Sequence, residues 1–176
     1  CNDTFTIETM CDCPTINGFS STTLCLGEYG VSQLDITLGD CTYDSITIDD
    51  NTVPSGMLYS ITESPFKVQF YGTPLVTGVY NIGVTIDCLD CNVSGLETIT
   101  VVNPNCTFSS SVVNPGCGLA YGSITLSSFT CPTSSLTWLD GATGTTRTSL
   151  SANTYIMYID DTNGCQVSAA FTLTDL

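Results

Sequence analysis

Two residue types in this chain could carry covalent or metal chemistry, cysteine and aspartate. There are eleven cysteines and no histidine in 176 residues. Without histidine, neither a Ser-His-Asp nor a Cys-His nucleophile can be assembled. The paired C-x-x-C spacing of a zinc ribbon is also missing. A single C-x-x-C does occur, Cys88-Leu-Asp-Cys91. A redox dithiol of that form opens a helix in a βαβ setting. Here it follows the strand-like run "YNIGVTID". The cysteines therefore read as structural disulfides, which belong to an oxidising, extracellular compartment. A Ser-Lys nucleophile would need Lys67, which sits within the strand-like "SPFKVQF". No residue cluster names a reaction, and the chain is expected not to be an enzyme.

The aspartates form two adjacent pairs, Asp49-Asp50 in "DDNT" and Asp160-Asp161 in "DDTNG". Neighbours on a strand point to opposite faces, so adjacency does not bring two carboxylates together for glycoside hydrolysis. Loop oxygens could instead hold Ca²⁺, the only cofactor these residues suggest. The plainer reading is that they form turns. Three N-x-S/T acceptors for glycosylation stand at Asn2, Asn92 and Asn105. The 17 acidic residues face only Lys67 and Arg147, a formal net charge of −15. That field repels phosphate backbones and anionic lipid, so no nucleic-acid partner is expected. No apolar run approaches 18 residues, so no membrane insertion is expected either.

The elements that position these residues are strands. Helical periodicity is nearly absent, whereas short apolar–polar alternations recur. In the first part they are "TFTIET", "VSQLDITL", "SITID", "LYSITE", "FKVQFY", "VYNIGVTID" and "ETITVVN". In the second they are "TFSSSVV", "YGSITLSS", "SLTWL", "TYIMYID" and "VSAAFTLT". Asn17-Gly18, Pro54-Ser-Gly56, Asn114-Pro-Gly116, Asp140-Gly141 and Asn163-Gly164 punctuate them as turns. This is an all-β pattern of sandwich type. The best boundary is "VVNPN" at 101–105, where Pro104 stops the preceding strand.

The two parts repeat one another. "CNVSGLETITV" from Cys91 is echoed by "CQVSAAFTLTD" from Cys165. Walking back from these cysteines lays 75–87 over 150–161, with Tyr80 over Tyr155. "CLGEYGVSQLDITLGDC" (25–41) then lies over "CGLAYGSITLSSFTC" (117–131). Cys13, Cys25, Cys41 and Cys91 thus correspond to Cys106, Cys117, Cys131 and Cys165. The first copy has about 16 extra residues between its third and fourth cysteines. Four cysteines per copy make two bridges in one of three pairings. Cys11 and Cys88 are then left to pair with each other, and Cys1 is the odd one.

The stretch from Tyr121 to Asp175 resembles the SprB-type repeat of very large Bacteroidetes cell-surface adhesins. The matching positions are Gly122–Ile124, Trp138, Gly141–Gly144, Leu150, Ala152, Thr154, Tyr155, Asp161, Asn163, Gly164 and Cys165, with Asn153 in place of the usual glycine. The resemblance covers roughly a third of the chain. It implies an immunoglobulin-like sandwich in an exported surface or appendage protein, with no catalytic residues. The residues agree with it: Trp138 reads as a core side chain and Tyr155 as a corner tyrosine bonding the backbone. "DTNGC" reads as a tight hairpin.

The expected organisation is two tandem immunoglobulin-like β-sandwich domains stapled by disulfides. Residues 1–10 form an extension, 11–103 domain 1 and 104–176 domain 2. In the extension, "DTFTIET" alternates Phe5 and Ile7 with polar residues. It reads either as the first strand of domain 1 or as a donor strand that completes a neighbour's sheet. Head-to-tail repetition of the donor contact builds an open filament of copies of the same chain, with Cys1 placed to lock subunits. An adhesin module holding a glycan or protein ligand, with Tyr59, Phe66 and Tyr71 as the exposed aromatics to meet it, is the competing expectation.

Overall fold

The computed structural model describes residues 12–19, 23–63, 65–89 and 91–176. Cys1, Asn2, Phe5, Ile7 and Cys11 lie outside the described residues. The chain divides into two compact units, unit 1 up to Val102 and unit 2 from Asn103 to Leu176.

Unit 1 holds eight strands. These are β1 (Thr15–Phe19), β2 (Thr23–Cys25), β3 (Gly30–Thr37), β4 (Tyr43–Ile48), β5 (Met57–Glu63), β6 (Phe66–Gly72), β7 (Gly78–Cys88) and β8 (Asn92–Val102). They make two four-stranded sheets, ordered β1-β3-β6-β5 and β2-β8-β7-β4. Alternation puts Leu34, Val68, Phe70, Ile82, Ile86 and Ile99 on the inner faces, all fully buried. One strand pair is parallel: β2 lies beside the end of β8, with Leu24 opposite Val101.

Unit 2 holds β9 (Ser109–Val113), β10 (Gly122–Ser127), β11 (Thr137–Trp138), β12 (Thr146–Leu150), β13 (Asn153–Asp160) and β14 (Gln166–Leu173). Its sheets run β12-β10-β9 and β11-β13-β14. Ile124, Trp138, Met157, Ile159 and Leu173 fill the space between them. Each unit is thus an all-β sandwich, and together they are a tandem immunoglobulin-like pair.

The repeat extends to topology and register. Strands β1, β3, β6, β4, β7 and β8 occupy the places that β9, β10, β12, β11, β13 and β14 occupy in unit 2. Tyr80 lies opposite Ile99, and Tyr155 opposite Phe171. The extra residues of the first copy supply β5 and its turn onto β6.

Both aligned tyrosines make the same bond. Tyr80 donates its hydroxyl to the Val76 carbonyl at 2.9 Å, and Tyr155 to the Ser151 carbonyl at 3.0 Å. Each ties the loop before its strand to the strand. Removing either hydroxyl with Tyr80→Phe or Tyr155→Phe is expected to cost its own unit about 1 kcal/mol. Calorimetry that separates the two unfolding transitions checks this, and only the transition of the altered unit should move.

Three strands were not legible as such. Gly18 in β1 has φ of 85° and the β1–β3 register shifts between Ile16 and Phe19, so Asn17-Gly18 is a bulge within a strand, not a turn that ends one. Strand β2 is only three residues long, and β12 is polar and bulged. The loop Asp161–Cys165 is longer than a two-residue hairpin turn. Gly164 has φ of 81°, while Asn163 does not enter the left-handed region.

Candidate functional site

The cysteines build a frame. Cys13 bonds Cys91, Cys41 bonds Cys88 and Cys106 bonds Cys131, with Cα separations of 6.1, 6.0 and 5.1 Å, within the range a disulfide spans. Cys25 is also in a disulfide. Cys165 is fully buried, and it is not free. The pairing corrects two expectations. Cys88 joins Cys41, not Cys11, because β4 pairs with β7 at Tyr43 and Cys88 and so delivers Cys41 to it. Cys117, expected in the framework, is free and exposed. Its counterpart Cys25 ends a strand, whereas Asn114-Pro115-Gly116 leads Cys117 into a turn. The two cysteines of the C-x-x-C stretch belong to separate bridges and form no dithiol pair with each other.

The aspartate pairs do not converge. Asp49 accepts the backbone and side-chain N–H groups of Asn51, both at 3.1 Å, capping a 3-10 turn at Asp50–Thr52. The nearby Asp50 carboxylate, followed by burial, raises the Tyr59 phenol above its ordinary pKa. Asp160 accepts from the Gln166 amide at 3.0 Å. Asp161 gathers the backbone N–H groups of Asn163, Cys165 and Asn105 at 2.8, 2.9 and 3.2 Å. Each carboxylate serves its own turn, and the described residues hold no group of three metal-ligating side chains. Asn92 and Asn105 are both exposed.

Asp161 is the most heavily used of these groups. Partial burial pushes its pKa up, but the N–H groups of Cys165, Asn105 and Asn163 outweigh this and hold the carboxyl below its ordinary value. A depressed folded-state pKa contributes stability above the unfolded value near ~3.9, and that contribution is lost as pH falls through the folded value. Asp161→Asn is therefore expected to lower the melting temperature of unit 2 at pH 7. The gap to the parent should narrow as pH falls below the unfolded value near ~3.9 and through the lowered folded one. Melting curves taken across that range check the sign.

Arg147 organises a polar cluster in unit 2. Its guanidinium grips Asp140 with two bonds of 3.1 and 2.7 Å. Its central carbon lies 5.2 Å from the Trp138 ring centre and 5.9 Å from that of Tyr155, in cation–π range. The Arg147 side chain, followed by the Ala142 N–H, draws the Asp140 carboxyl below its ordinary pKa. A shallow concavity of about 230 Å³ lies over this cradle, bordered also by Leu139 and Thr154. Because Asp140 neutralises the guanidinium, the concavity offers polar edges and aromatic surface without net charge. Sequence reading missed it: Asp140 and Arg147 flank a loop, and their spacing follows no strand or helix period. The aromatics that sequence reading had offered to a ligand are half-buried structural groups. Tyr59 packs on Phe70 and Phe66 on Tyr43, while Tyr71 lies within β6.

The remaining candidates are sheet edges, where unpaired N–H and C=O groups can accept another strand. Among the described strands, most edges are blunted. β2 and β11 are very short, β1 and β4 shift register, and β12 carries Ser149 at φ of 58° in a bulge. Three edges are regular: β5, β9 and β14. Of these, β9 and β14 contain no charged residue. No helix among the described residues is long and apolar enough to cross a membrane.

No protein-family model matches the chain, and no curated protein does. Among solved structures it is similar to a chimeric titin Z1Z2 carrying a decorin peptide, at 11% identity and a TM-score of 0.44, over 94% of this chain and 98% of that one. It is also similar to tandem immunoglobulin repeats of Dlar, at 13% identity and a TM-score of 0.42, over 93% and 97%. The immunoglobulin domains 1–5 of Sidekick-1 match at 14% identity and a TM-score of 0.41, over 94% and 40%.

Proposed function

We propose that this protein is a non-enzymatic structural subunit of an extracellular filament or surface appendage. Subunits join head to tail by β-strand addition, with the segment "DTFTIET" at 3–9 as donor and Cys1 as a covalent lock between neighbours. Residues 1–10 are then an extension to the domains 11–103 and 104–176. The observation that carries this reading is the presence of long, regular, uncharged sheet edges in a chain that otherwise blunts its edges. An exposed edge of that kind is a template for another strand. The cysteine frame supports an oxidising, external setting. The likeness of unit 2 to SprB-type repeats of surface adhesins points the same way. Eleven cysteines leave at least one thiol over in every chain, and Cys117 is free and exposed for such a contact.

Electron microscopy and sedimentation of the unreduced native protein test this. Ordered filaments are expected, and deleting residues 1–10 should return them to single particles. Native material that stays monomeric at high concentration overturns the reading. The concavity beside Arg147 and the half-buried Tyr155 favours a second one, an adhesin module that holds a neutral sugar against polar edges and the Tyr155 ring. Trp138 is the single tryptophan. Its emission should therefore respond to a bound glycan, and a glycan array without signal counts against this reading.

A further inference from the structure

We propose that the acceptor is the outer edge of β14 in unit 2, and that residues 3–9 of a second copy add to it in parallel, as β2 adds to β8 within unit 1. The inference rests on the reading of the chain as a polymerising subunit and names the place where the polymer joins.

Unit 1 supplies the template. After β1 pairs in one sheet, its chain crosses to the other, where β2 lies parallel to β8. Leu24 enters the core opposite Val101, and the Leu26 N–H donates to the Val102 carbonyl at 2.8 Å. Ile16 of β1 also sits against Gly95 of β8. The seam between the two sheets is laced shut.

In unit 2 the equivalent seam lies between β9 and β14, and most of it is unlaced. The matching registers set Leu173 where Val101 stands. Pro115 takes the place of Leu24: it approaches Gly122 as Leu24 approaches Gly30. Proline lacks an N–H and cannot continue a ladder. The crossing is reduced to two bonds at the far end, from Thr174 N–H to the Asn114 side chain at 3.1 Å and from Leu176 N–H to the Pro115 carbonyl at 3.2 Å. Along residues 168–172, upstream of them, no other described strand pairs with the outer edge of β14. All five residues of β9 are exposed, and the inward-facing Val167 and Ala169 of β14 are only half-buried, while Phe171 and Leu173 further along are buried.

Backbone direction agrees. The Asp161 N–H donates to the Cys165 carbonyl at 2.8 Å. Antiparallel alternation from that pair turns the N–H groups of Val167, Ala169 and Phe171 toward β13. Those of Ser168, Ala170 and Thr172 then point outward, in phase with the outward N–H of Thr174.

Three features select the occupant. The edge is a row of main-chain groups, which an extended segment satisfies. The half-buried Val167 and Ala169 leave room for apolar side chains at every second position, and Phe5 and Ile7 have that spacing. Neither β9 nor β14 carries an acidic residue, in a chain with 17 of them. An acidic donor carrying Asp3 and Glu8 therefore meets no like charge on the strands it would join.

The test uses full-length variants with disulfides intact. Ala170→Pro removes an outward N–H at an exposed position and keeps every bond to β13, which an edge strand tolerates. It is expected to abolish filaments while unit 2 stays folded by its tryptophan emission. Ser168→Pro does the same should the first variant misfold. Ile61→Pro, the same change on the edge of β5, should leave assembly intact. The Phe5→Asp, Ile7→Asp variant loses the donor and should also stop assembly. Mixed with Ala170→Pro, it should give dimers that grow no further, each with one live donor in one live acceptor. Filaments from folded Ala170→Pro and Ser168→Pro overturn the acceptor assignment and leave polymerisation standing. Failure of the parent to assemble sinks the polymer reading itself. Monomers whose β14 amides lose exchange protection on the Phe5→Asp, Ile7→Asp change would mean that the segment folds back on its own chain, and would overturn addition from a second copy.

Discussion

Replacing Cys13 and Cys91 together by serine is expected to lower the stability of unit 1 by about 3.7 kcal/mol, the loop-entropy value for the roughly 33 residues this bridge closes while Cys41–Cys88, nested within it, stays intact. The bridge joins residues separated by 78 positions. Cross-linking mainly restricts the unfolded chain, so the longer loop carries the larger effect. The Cys106–Cys131 bridge closes a separation of 25, and the same relation gives about 3.5 kcal/mol for unit 2. A domain of this size has a total stability of about 5–15 kcal/mol. The double variant should therefore bring unit 1 to the margin of folding at 37 °C. Differential scanning calorimetry checks it: the unit 1 transition drops and the unit 2 transition holds. Both residues must change, because a lone thiol would be free to attack the neighbouring Cys41–Cys88 bond.

Trp138→Ala is expected to cost unit 2 about 3–5 kcal/mol, the range for truncating a large buried aromatic. The indole is 1% exposed and packs against Phe171 at 5.9 Å between ring centres. It also donates its Nε1–H to the Gly144 carbonyl at 2.9 Å. Truncation leaves a cavity and an unpaired carbonyl, and takes away the surface over which Arg147 lies. A unit this small buries too little to absorb such a loss. Unit 2 should unfold near room temperature while unit 1 keeps its own transition. Trp138→Phe retains much of the packing and should lie between the two. Chemical denaturation followed by circular dichroism measures all three, since the alanine variant has no tryptophan emission left.

Much of the architecture was readable because its causes are local. Twelve alternating runs named eleven of the fourteen described strands, and the twelfth, "TFTIET", falls outside the described residues. The repeated phrase at Cys91 and Cys165 carried real register, down to two tyrosines making one bond. What escaped depends on partners distant in sequence. Asn17-Gly18 has the local signature of a turn, and only its pairing with β3 makes it a bulge. The cysteine correspondence gave an order, but the two bridges expected within each copy do not both form: Cys41 bonds Cys88, outside the first four, and Cys117 of the second four is free. Cys106 bonds Cys131, whereas its counterpart Cys13 bonds Cys91. Asp140 and Arg147 looked like a turn residue and a stray cation, and only folding of the intervening loop brings them into a cradle over Trp138.

The Cys13–Cys91 bridge has a mechanical consequence. Tension along the chain ordinarily draws out a β-sandwich as extended backbone. Here the 78 positions between Cys13 and Cys91 are spanned by one covalent link. At ~3.4 Å per residue, about 260 Å of slack is withheld from each first unit, however far its strands part. Stretched, the unit behaves as a short tether with a fixed stop, and reduction of that single bond frees only the positions outside the Cys41–Cys88 loop, 31 (78 − 47), or about 105 Å at ~3.4 Å per residue.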